Sequence, residues 1–269
     1  MKLKDRVAFI TDGASPAGRG IAARLAEEGA LVAANVFPAG LAAPSRAGLI
    51  TRADPLSKAG IDTAVREVLE KYGRIDSLIF NNNEIIPAAL EDCDDETYDR
   101  IMGVNIKSAY LYAAAAGPPM KERRSGNFVF VSSIHDEKPF GACFAYSMAK
   151  GCLKNLAREM VLDMGKFNIR TNVIEMGPME GGWEDFYSDL SPLYEHARER
   201  LNGPRMGNVR DIAEAVLYFA GDDSGFANGS ELRLDGGFLL TYMLRRRNLD
   251  RATDQEIKQI WQPGAYDGT

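Results

Sequence analysis

The stretch VAFITDGASPAGRGIAARLAEE, residues 7–28, decides the fold. Its first five residues are apolar or β-branched, as in a buried strand, and residues 21–28 carry apolar side chains at helical spacing. The loop between them holds glycines and a proline, which mark a turn from strand to helix. This unit therefore predicts the first half of a βαβ crossover.

The same alternation continues outward along the chain. Residues 31–37, 50–53, 78–80, 128–132, 169–175 and 231–234 read as further strands, and residues 62–72, 98–120, 145–164 and 210–220 as helical segments. Gly117-Pro118-Pro119 is expected to end the long central helix. No linker or internal repeat divides the chain. We therefore predict an α/β fold: a doubly wound, mostly parallel, Rossmann-like sheet with helices on both faces, in a single domain over residues 1–269.

Composition excludes several classes of function. The net charge is −6 and the pI is about 5.2, which argues against nucleic-acid or anionic-membrane partners. Three cysteines and two histidines give neither a disulfide framework nor a metal signature. The first residues lack the apolar core of a signal peptide, and no apolar run could span a bilayer. We expect a cytoplasmic protein without a metal.

Four residues form a candidate catalytic constellation. Tyr146 and Lys150 are four apart on one helical face, Ser133 ends a predicted strand, and Asn105 lies in the preceding helix. An ammonium near a phenol lowers the phenol pKa, so Tyr146 could act as general acid or base on a carbonyl/alcohol pair. Ser133 could hold the substrate oxygen. Asn105 could hold a water that links Lys150 to solvent.

This constellation resembles the active-site core of the short-chain dehydrogenases/reductases. The similarity spans roughly residues 5–240 and includes the segments Val129–Ser133, Arg170–Asn172 and Asp235–Gly237. It implies hydride transfer between NAD(H) or NADP(H) and an alcohol/carbonyl substrate, with Lys150 also binding the nicotinamide ribose. It further implies a homodimer or homotetramer. The preference between NAD and NADP is left open.

The cofactor loop departs from the family pattern Thr-Gly-x-x-x-Gly-x-Gly. Asp12 stands for the first glycine, Pro16 for the second, and only Gly18 is retained. Pro16 removes an amide donor, and Asp12 would repel phosphate if it faces the nucleotide; it could equally be a capping carboxylate in solvent. The resemblance places the dinucleotide against Thr11, Gly13, Ser15, Gly18, Asp54, Asn81, Lys150 and Gly177.

Other nucleotide contacts are altered as well. The second strand ends in Asn35-Val36-Phe37, without an acid for a ribose diol or a base for a 2′-phosphate. The family segment Asn-Asn-Ala-Gly reads here as Phe80–Asn83, so side chains fill space near the nucleotide. Three hypotheses stay open: a nicotinamide-dependent oxidoreductase, a nicotinamide-independent lyase or dehalogenase, and a non-catalytic relative that has lost the cofactor. Lys150 and Asn105 favour the first.

Two further segments are singled out by the resemblance. Residues 179–203 lie at the family's substrate loop, and their aromatic content, with Trp183, Phe186 and Tyr187, suits a small apolar substrate. Packing of an amphipathic lid explains the same pattern equally well. Residues 240–269 form a C-terminal extension with a basic run at 245–247 and an apolar helical stripe, which suits a subunit contact.

Overall fold

A computed structural model describes residues 1–38, 40–139, 141–180 and 201–240 of the chain. Seven strands form one sheet in the order β3-β2-β1-β4-β5-β6-β7, and every neighbouring pair is parallel. The strands are β1 (Val7–Ile10), β2 (Leu31–Asn35), β3 (Leu49–Thr51), β4 (Ser77–Phe80), β5 (Gly126–Ser133), β6 (Ile169–Met176) and β7 (Glu231–Leu234).

Helices connect the strands and cover both faces of the sheet. They are α1 (Pro16–Glu27), α2 (Lys58–Tyr72), α3 (Asp95–Met102), α4 (Ser108–Arg123), α5 (Phe144–Met164) and α6 (Val209–Ala220). Helices α2, α4 and α5 pack on the face that presents Phe9, Phe80 and Phe128, whereas α1 and α6 pack on the face of Ile10 and Val129. Successive residues of a strand point to opposite faces, so both sides of the central strands are buried.

The chain order reverses at the centre of the sheet. Strands β1, β2 and β3 run outward to one edge, and β4 starts again on the other side of β1. The carboxyl ends of β1 and β4 therefore form the switch point at which doubly wound sheets bind ligands. The predicted fold class is confirmed.

One predicted boundary is wrong. The central helix does not end at Gly117-Pro118-Pro119 but runs through both prolines to Arg123. The two prolines leave the carbonyls of Ala114 and Ala115 without amide partners. Ala114 is exposed and Ala115 is half-buried, so these carbonyls lie toward the solvent side, while Met120 is buried in the core and holds the last turn. Burial of one face thus outweighs the local breaker.

Several expectations stay predictions. The single-domain boundary is not tested, and most of the substrate loop and of the C-terminal extension, residues 181–200 and 241–269, lies outside the described residues. Among the residues that the structure describes, none of the helices is both long and apolar enough to cross a membrane. The described part of the chain likewise holds no cluster of three or more metal-ligating side chains.

Candidate active site

Helix α5 brings two of the four predicted catalytic residues together, and strand β5 ends at a third. Ser133 is the last residue of β5, and Tyr146 and Lys150 lie one turn apart in α5. Tyr146 has no exposed surface, and Lys150 is 1% exposed. The Lys150 amine lies 5.5 Å from the centre of the Tyr146 ring. The two side chains therefore share one buried environment, as their spacing on the helix requires.

The loop that follows β4, residues 81–84, contacts both of these side chains. The Lys150 amine donates to the carbonyl oxygen of Asn82 at 3.0 Å. The Tyr146 hydroxyl donates to Oδ1 of Asn83 at 2.8 Å. Since consecutive residues of one loop accept these bonds, the amine and the phenol face the same end of the sheet.

Asn105 holds the same loop from the opposite side. It lies in a π-helical turn, Gly103–Lys107, between α3 and α4, and it is fully buried. Its side-chain amide donates to the carbonyl oxygen of Glu84 at 2.7 Å and to that of Ile101 at 2.9 Å, and its Oδ1 accepts from the Glu84 amide at 3.2 Å. π-Helical turns are frequent at functional sites. Asn105 thus fixes the loop that receives Lys150, and its water-relay role stays a prediction.

Ser133 reaches Tyr146 through a neighbour that the sequence did not single out. The Ser133 hydroxyl accepts a hydrogen bond from the His135 amide at 3.3 Å and caps a short 3₁₀ turn, Ile134–Asp136. The His135 ring packs edge-on against the Tyr146 ring, 5.4 Å between centres. Burial, aided by the charge of Lys150, lowers the pKa of His135 to about 4. A neutral imidazole therefore supports the tyrosine at neutral pH.

Burial shifts the titration of the lysine into the physiological range. Desolvation lowers the pKa of Lys150 to about 7, although the carboxylates of Asp12 and Asp136 favour its charged form. Both protonation states are then populated near neutrality. An amine poised in this way can exchange protons with a nearby hydroxyl more readily than one with the ordinary value of 10.5.

Asp12 carries one of the carboxyl groups that act on Lys150. Burial raises the pKa of its carboxyl to about 7, against the opposing effects of a hydrogen bond from Ser15 and the charges of Lys150 and Arg19. Its backbone adopts a left-handed conformation, with φ of 46°. Asp tolerates this region better than most residues, which explains why the glycine of the family pattern is not required here. Asp12 is predicted either to face the nucleotide site or to cap a turn in solvent. The structure favours the first, because the carboxyl is buried and borders the ligand cavity.

The turn from β1 to α1 is tied together by its own polar side chains. The Thr11 hydroxyl accepts from the Asn81 amide at 2.8 Å, and the Asn81 side chain donates to the Ser15 hydroxyl at 3.0 Å. Ser15 is the N-cap of α1 and accepts from the amide of Gly18 at 3.1 Å. Three of the predicted cofactor contacts therefore join the ends of β1 and β4, and their contact with a nucleotide stays a prediction.

The predicted glycines serve close packing. A Cβ at Gly13 would come within 2.7 Å of the Ala34 side chain, and one at Gly177 within 2.6 Å of Asp235. A Cβ at Gly18 would overlap the carbonyl oxygen of Asp12. These positions admit only glycine for reasons internal to the fold, whether or not their amides also contact a ligand.

A cavity of about 470 Å³ opens at the carboxyl ends of the first four strands. It extends from Asp12, Asn35 and Asp54 to Asn82 and Asn83, which accept the hydrogen bonds of Lys150 and Tyr146. Asp54 borders it while its Oδ1 accepts from the amide of Leu56 at 2.8 Å. The cavity thus runs from the switch point, where doubly wound sheets bind ligands, to the loop residues that accept the hydrogen bonds of Lys150 and Tyr146.

The phosphate end of this site offers fewer donors than a glycine-rich loop. Pro16 at the first position of α1 has no amide hydrogen, and the Gly18 amide is already bonded to Ser15. The Asp12 carboxyl also borders the cavity. The residues are therefore compatible with a dinucleotide at its two ends and would offer a pyrophosphate fewer hydrogen bonds than a glycine-rich loop.

Comparisons with known proteins agree with this geometry. A family model described as enoyl-(acyl carrier protein) reductase matches residues 14–239. The chain is 32% identical to 2-(S)-hydroxypropyl-CoM dehydrogenase 3 of Xanthobacter autotrophicus, over 88% of this chain and 97% of that protein. It is 30% identical to 7alpha-hydroxysteroid dehydrogenase of Clostridium sardiniense, over 89% and 95% respectively.

Solved structures show the same relationship. The crystal structure of levodione reductase superposes with a TM-score of 0.82 at 26% identity, covering 89% of this chain and all of that one. A short-chain dehydrogenase/reductase from Serratia marcescens gives 0.80 at 28% identity, with coverage of 88% and 99%. None of the proteins named here favours a lyase or a non-catalytic role. The chain belongs to the short-chain dehydrogenase/reductase family and is an NAD(P)-dependent oxidoreductase of alcohols and carbonyls.

Proposed function

We propose that Tyr146, Lys150, Ser133 and Asn105 are the catalytic machinery of a secondary-alcohol dehydrogenase or ketone reductase. One observation carries the proposal: the Tyr146 hydroxyl and the Lys150 amine are both buried and contact consecutive residues of the loop that borders the cavity. This arrangement supports a site in which Tyr146 is the proton donor and Lys150 the cation, both held by a loop at the edge of the cavity.

Each side chain has a distinct task in this proposal. The nicotinamide cofactor, when bound, supplies or accepts the hydride. Tyr146 gives its proton to the carbonyl oxygen in reduction and removes it from the alcohol in oxidation. Ser133 donates to the same oxygen and stabilises the charge that develops on it. Lys150 stabilises the phenolate with its positive charge, and Asn105 holds the loop that receives the amine.

The charges of the cavity favour NAD(H) over NADP(H). Among the described residues that line the cavity, Arg100 is the one with a cationic side chain. Its Nε and Nη2 atoms both donate to the carboxylate of Glu84. The Asp12 and Asp54 carboxyls border the same cavity. A 2′-phosphate would meet acids and an already paired guanidinium there, whereas a ribose diol could bond to a carboxylate.

The relatives suggest the class of substrate. Their names refer to 2-(S)-hydroxypropyl-CoM, a 7alpha-hydroxysteroid and cyclopentanol, each of which carries a secondary alcohol. We extend this class to the present chain. A homodimer or homotetramer and a cytoplasmic location remain predictions that follow from the family resemblance.

The first experiment measures cofactor binding and turnover on the wild-type protein. Titration with NADH and NADPH, followed by nucleotide fluorescence, should show saturable binding with NADH at least about tenfold tighter. Oxidation of secondary alcohols, with cyclopentanol as the first compound, is then followed by absorbance of the reduced cofactor. Failure of both nucleotides to bind at millimolar concentration would contradict the proposed function.

Tyr146→Phe tests the catalytic assignment. Loss of general acid–base catalysis should lower kcat by about 10²–10⁴-fold, while NADH affinity and the melting temperature stay near the wild-type values. Tyr110→Phe is the matched control, because that tyrosine lies on α4 and is 58% exposed. Undiminished turnover in Tyr146→Phe would remove Tyr146 from the mechanism.

A further inference from the structure

Asn83 lies where the loop after β4 borders the cavity. The residue itself is exposed, yet its amide oxygen accepts the hydrogen bond of the fully buried Tyr146 hydroxyl at 2.8 Å. Its neighbours on both sides are fixed: Lys150 bonds to the Asn82 carbonyl, and Asn105 bonds to both backbone groups of Glu84. The backbone of Asn83 is therefore held on both sides, while its side chain is free of the packing that would lock it.

The chemistry of this contact is that of a ligand. The amide oxygen of Asn83 is a carbonyl oxygen, the same acceptor type as the oxygen of a ketone. A phenol has a single proton to donate, so Tyr146 cannot give it to Asn83 and to another oxygen at the same time. Any mechanism in which Tyr146 donates to an incoming oxygen must first break the bond to Asn83.

We propose that Asn83 is a positioning residue whose side-chain oxygen acts as an internal ligand of Tyr146, and that an oxygen of the incoming substrate or of the cofactor ribose displaces it. This inference rests on the proposed function, because it assumes that Tyr146 meets such an oxygen. In the ligand-free enzyme Asn83 keeps the phenol protonated and oriented toward the cavity. Binding exchanges one acceptor for another.

Removal of this internal ligand should strengthen binding of the ligand that replaces it. In Asn83→Ala the cost of breaking one hydrogen bond disappears, which corresponds to about a fivefold change in affinity. If a ribose hydroxyl takes the place of Asn83, the NADH Kd falls about fivefold. If the substrate oxygen does, the NADH Kd is unchanged and the KM for a ketone such as cyclopentanone falls about fivefold at saturating NADH.

Two further variants separate this role from a purely structural one. Asn83→Asp keeps the size of the side chain and supplies a stronger, charged acceptor for Tyr146. Whichever constant falls in Asn83→Ala, the NADH Kd or the KM for the ketone, should therefore rise about tenfold in Asn83→Asp. Asn155→Ala is the matched control, because Asn155 is an exposed asparagine on the outer side of α5 that contacts Arg158, and it should change neither constant. An unchanged or weaker affinity for both ligands in Asn83→Ala would overturn the proposal.

A measurement without any ligand keeps the test independent of the enzyme assignment. The ring carbon that bears the hydroxyl of Tyr146 can be followed by NMR in ¹³C-tyrosine-labelled protein and assigned with Tyr146→Phe. A bond donated by the phenol stabilises its protonated form, so this signal should titrate about half to one pH unit lower in Asn83→Ala than in the wild type. An identical titration would refute the internal ligand even if the protein bound no nucleotide.

Discussion

Asp12 and Lys150 lie close enough for the charge of each to affect the pKa of the other, and burial acts on each against its charged form. The pKa of Asp12 is raised to about 7 and that of Lys150 is lowered to about 7. Below this pH the carboxyl is neutral and the amine is charged, whereas above it the carboxyl is charged and the amine is neutral. The site therefore becomes more negative as the pH rises through 7, while His135, whose pKa is lowered to about 4, stays neutral throughout that range.

The affinity for NADH should follow this change of charge. Because the pyrophosphate is anionic, we expect the Kd to rise as the pH increases from 6 to 8. Asp12→Asn removes the negative charge that appears in this range and should reduce the slope, with Lys150 accounting for the rest. Asp54→Asn is the control, because it removes a different carboxylate from the lining of the cavity and should leave the pH slope of the Kd unchanged. Fluorescence titration with NADH at several pH values measures the Kd of the wild type and of each variant. An equal pH slope in the wild type and in Asp12→Asn would contradict the titration of Asp12 in this range.

The sequence predicts the residues of the site better than their contacts. Tyr146 and Lys150 are predicted from their spacing together with Ser133, Asn105 and the family resemblance, and one turn of helix brings the two side chains together. The bond between Tyr146 and Asn83 joins residues 63 positions apart and depends on the path of a loop that no local pattern encodes. The support of Tyr146 by His135 is missed for a similar reason, because a short turn rather than a regular helix orients the ring.

Helices α1 and α6 approach closely enough to require a glycine between them. A Cβ at Gly20 of α1 would overlap the side chain of Val209 at the start of α6. Gly20→Ala should therefore lower the free energy of unfolding by about 1–3 kcal/mol, despite the better helix propensity of alanine. Urea denaturation measures this loss.

The double variant tests whether Val209 is the cause. Val209→Ala removes the methyl groups that the new Cβ would meet, so Gly20→Ala should cost about 1 kcal/mol less in its presence. Additive losses would show that the strain arises elsewhere. The sequence does not reveal this contact, because two residues 189 positions apart leave no local signature.

Asp76 joins three strands at the opposite end of the sheet from the active site. It is 5% exposed, precedes β4, and accepts from the Val7 amide of β1 at 2.8 Å and from Arg123 at 3.2 Å. Its carbonyl oxygen also accepts from the amide of Asn127 in β5 at 2.9 Å. The side chain therefore satisfies buried donors from separate parts of the chain.

Asp76→Ala should destabilise the whole molecule by about 2–4 kcal/mol, because it leaves the Val7 amide and Arg123 without this acceptor. Asp163→Ala is the matched control: its carboxylate pairs with Lys121 at 2.6 Å but is 61% exposed, so the cost should stay within about 1 kcal/mol. Urea denaturation of both variants decides the point, and similar losses would contradict a special role for burial.

At the scale of the molecule the sequence was most informative. Apolar runs of strand length alternate with segments whose apolar residues have helical spacing, and this alternation predicts a parallel, doubly wound sheet. The spacing of apolar residues is informative because it reflects which faces of an element are buried. The boundary at Pro118 was wrong because a local breaker was overruled by packing of the whole helix. The end of this helix is set by long-range packing rather than by local propensity, and the sequence pattern does not show that packing.

The loop of residues 81–84 limits how this protein can be re-engineered. Its backbone and side chains receive Lys150, Tyr146 and Asn105 within three successive residues. A single inserted or deleted residue would shift the register of all three attachments together, whereas substitutions keep it. Grafted loops and changes of length are therefore best directed to other connections, and redesign of specificity here should proceed by exchange of side chains at constant length.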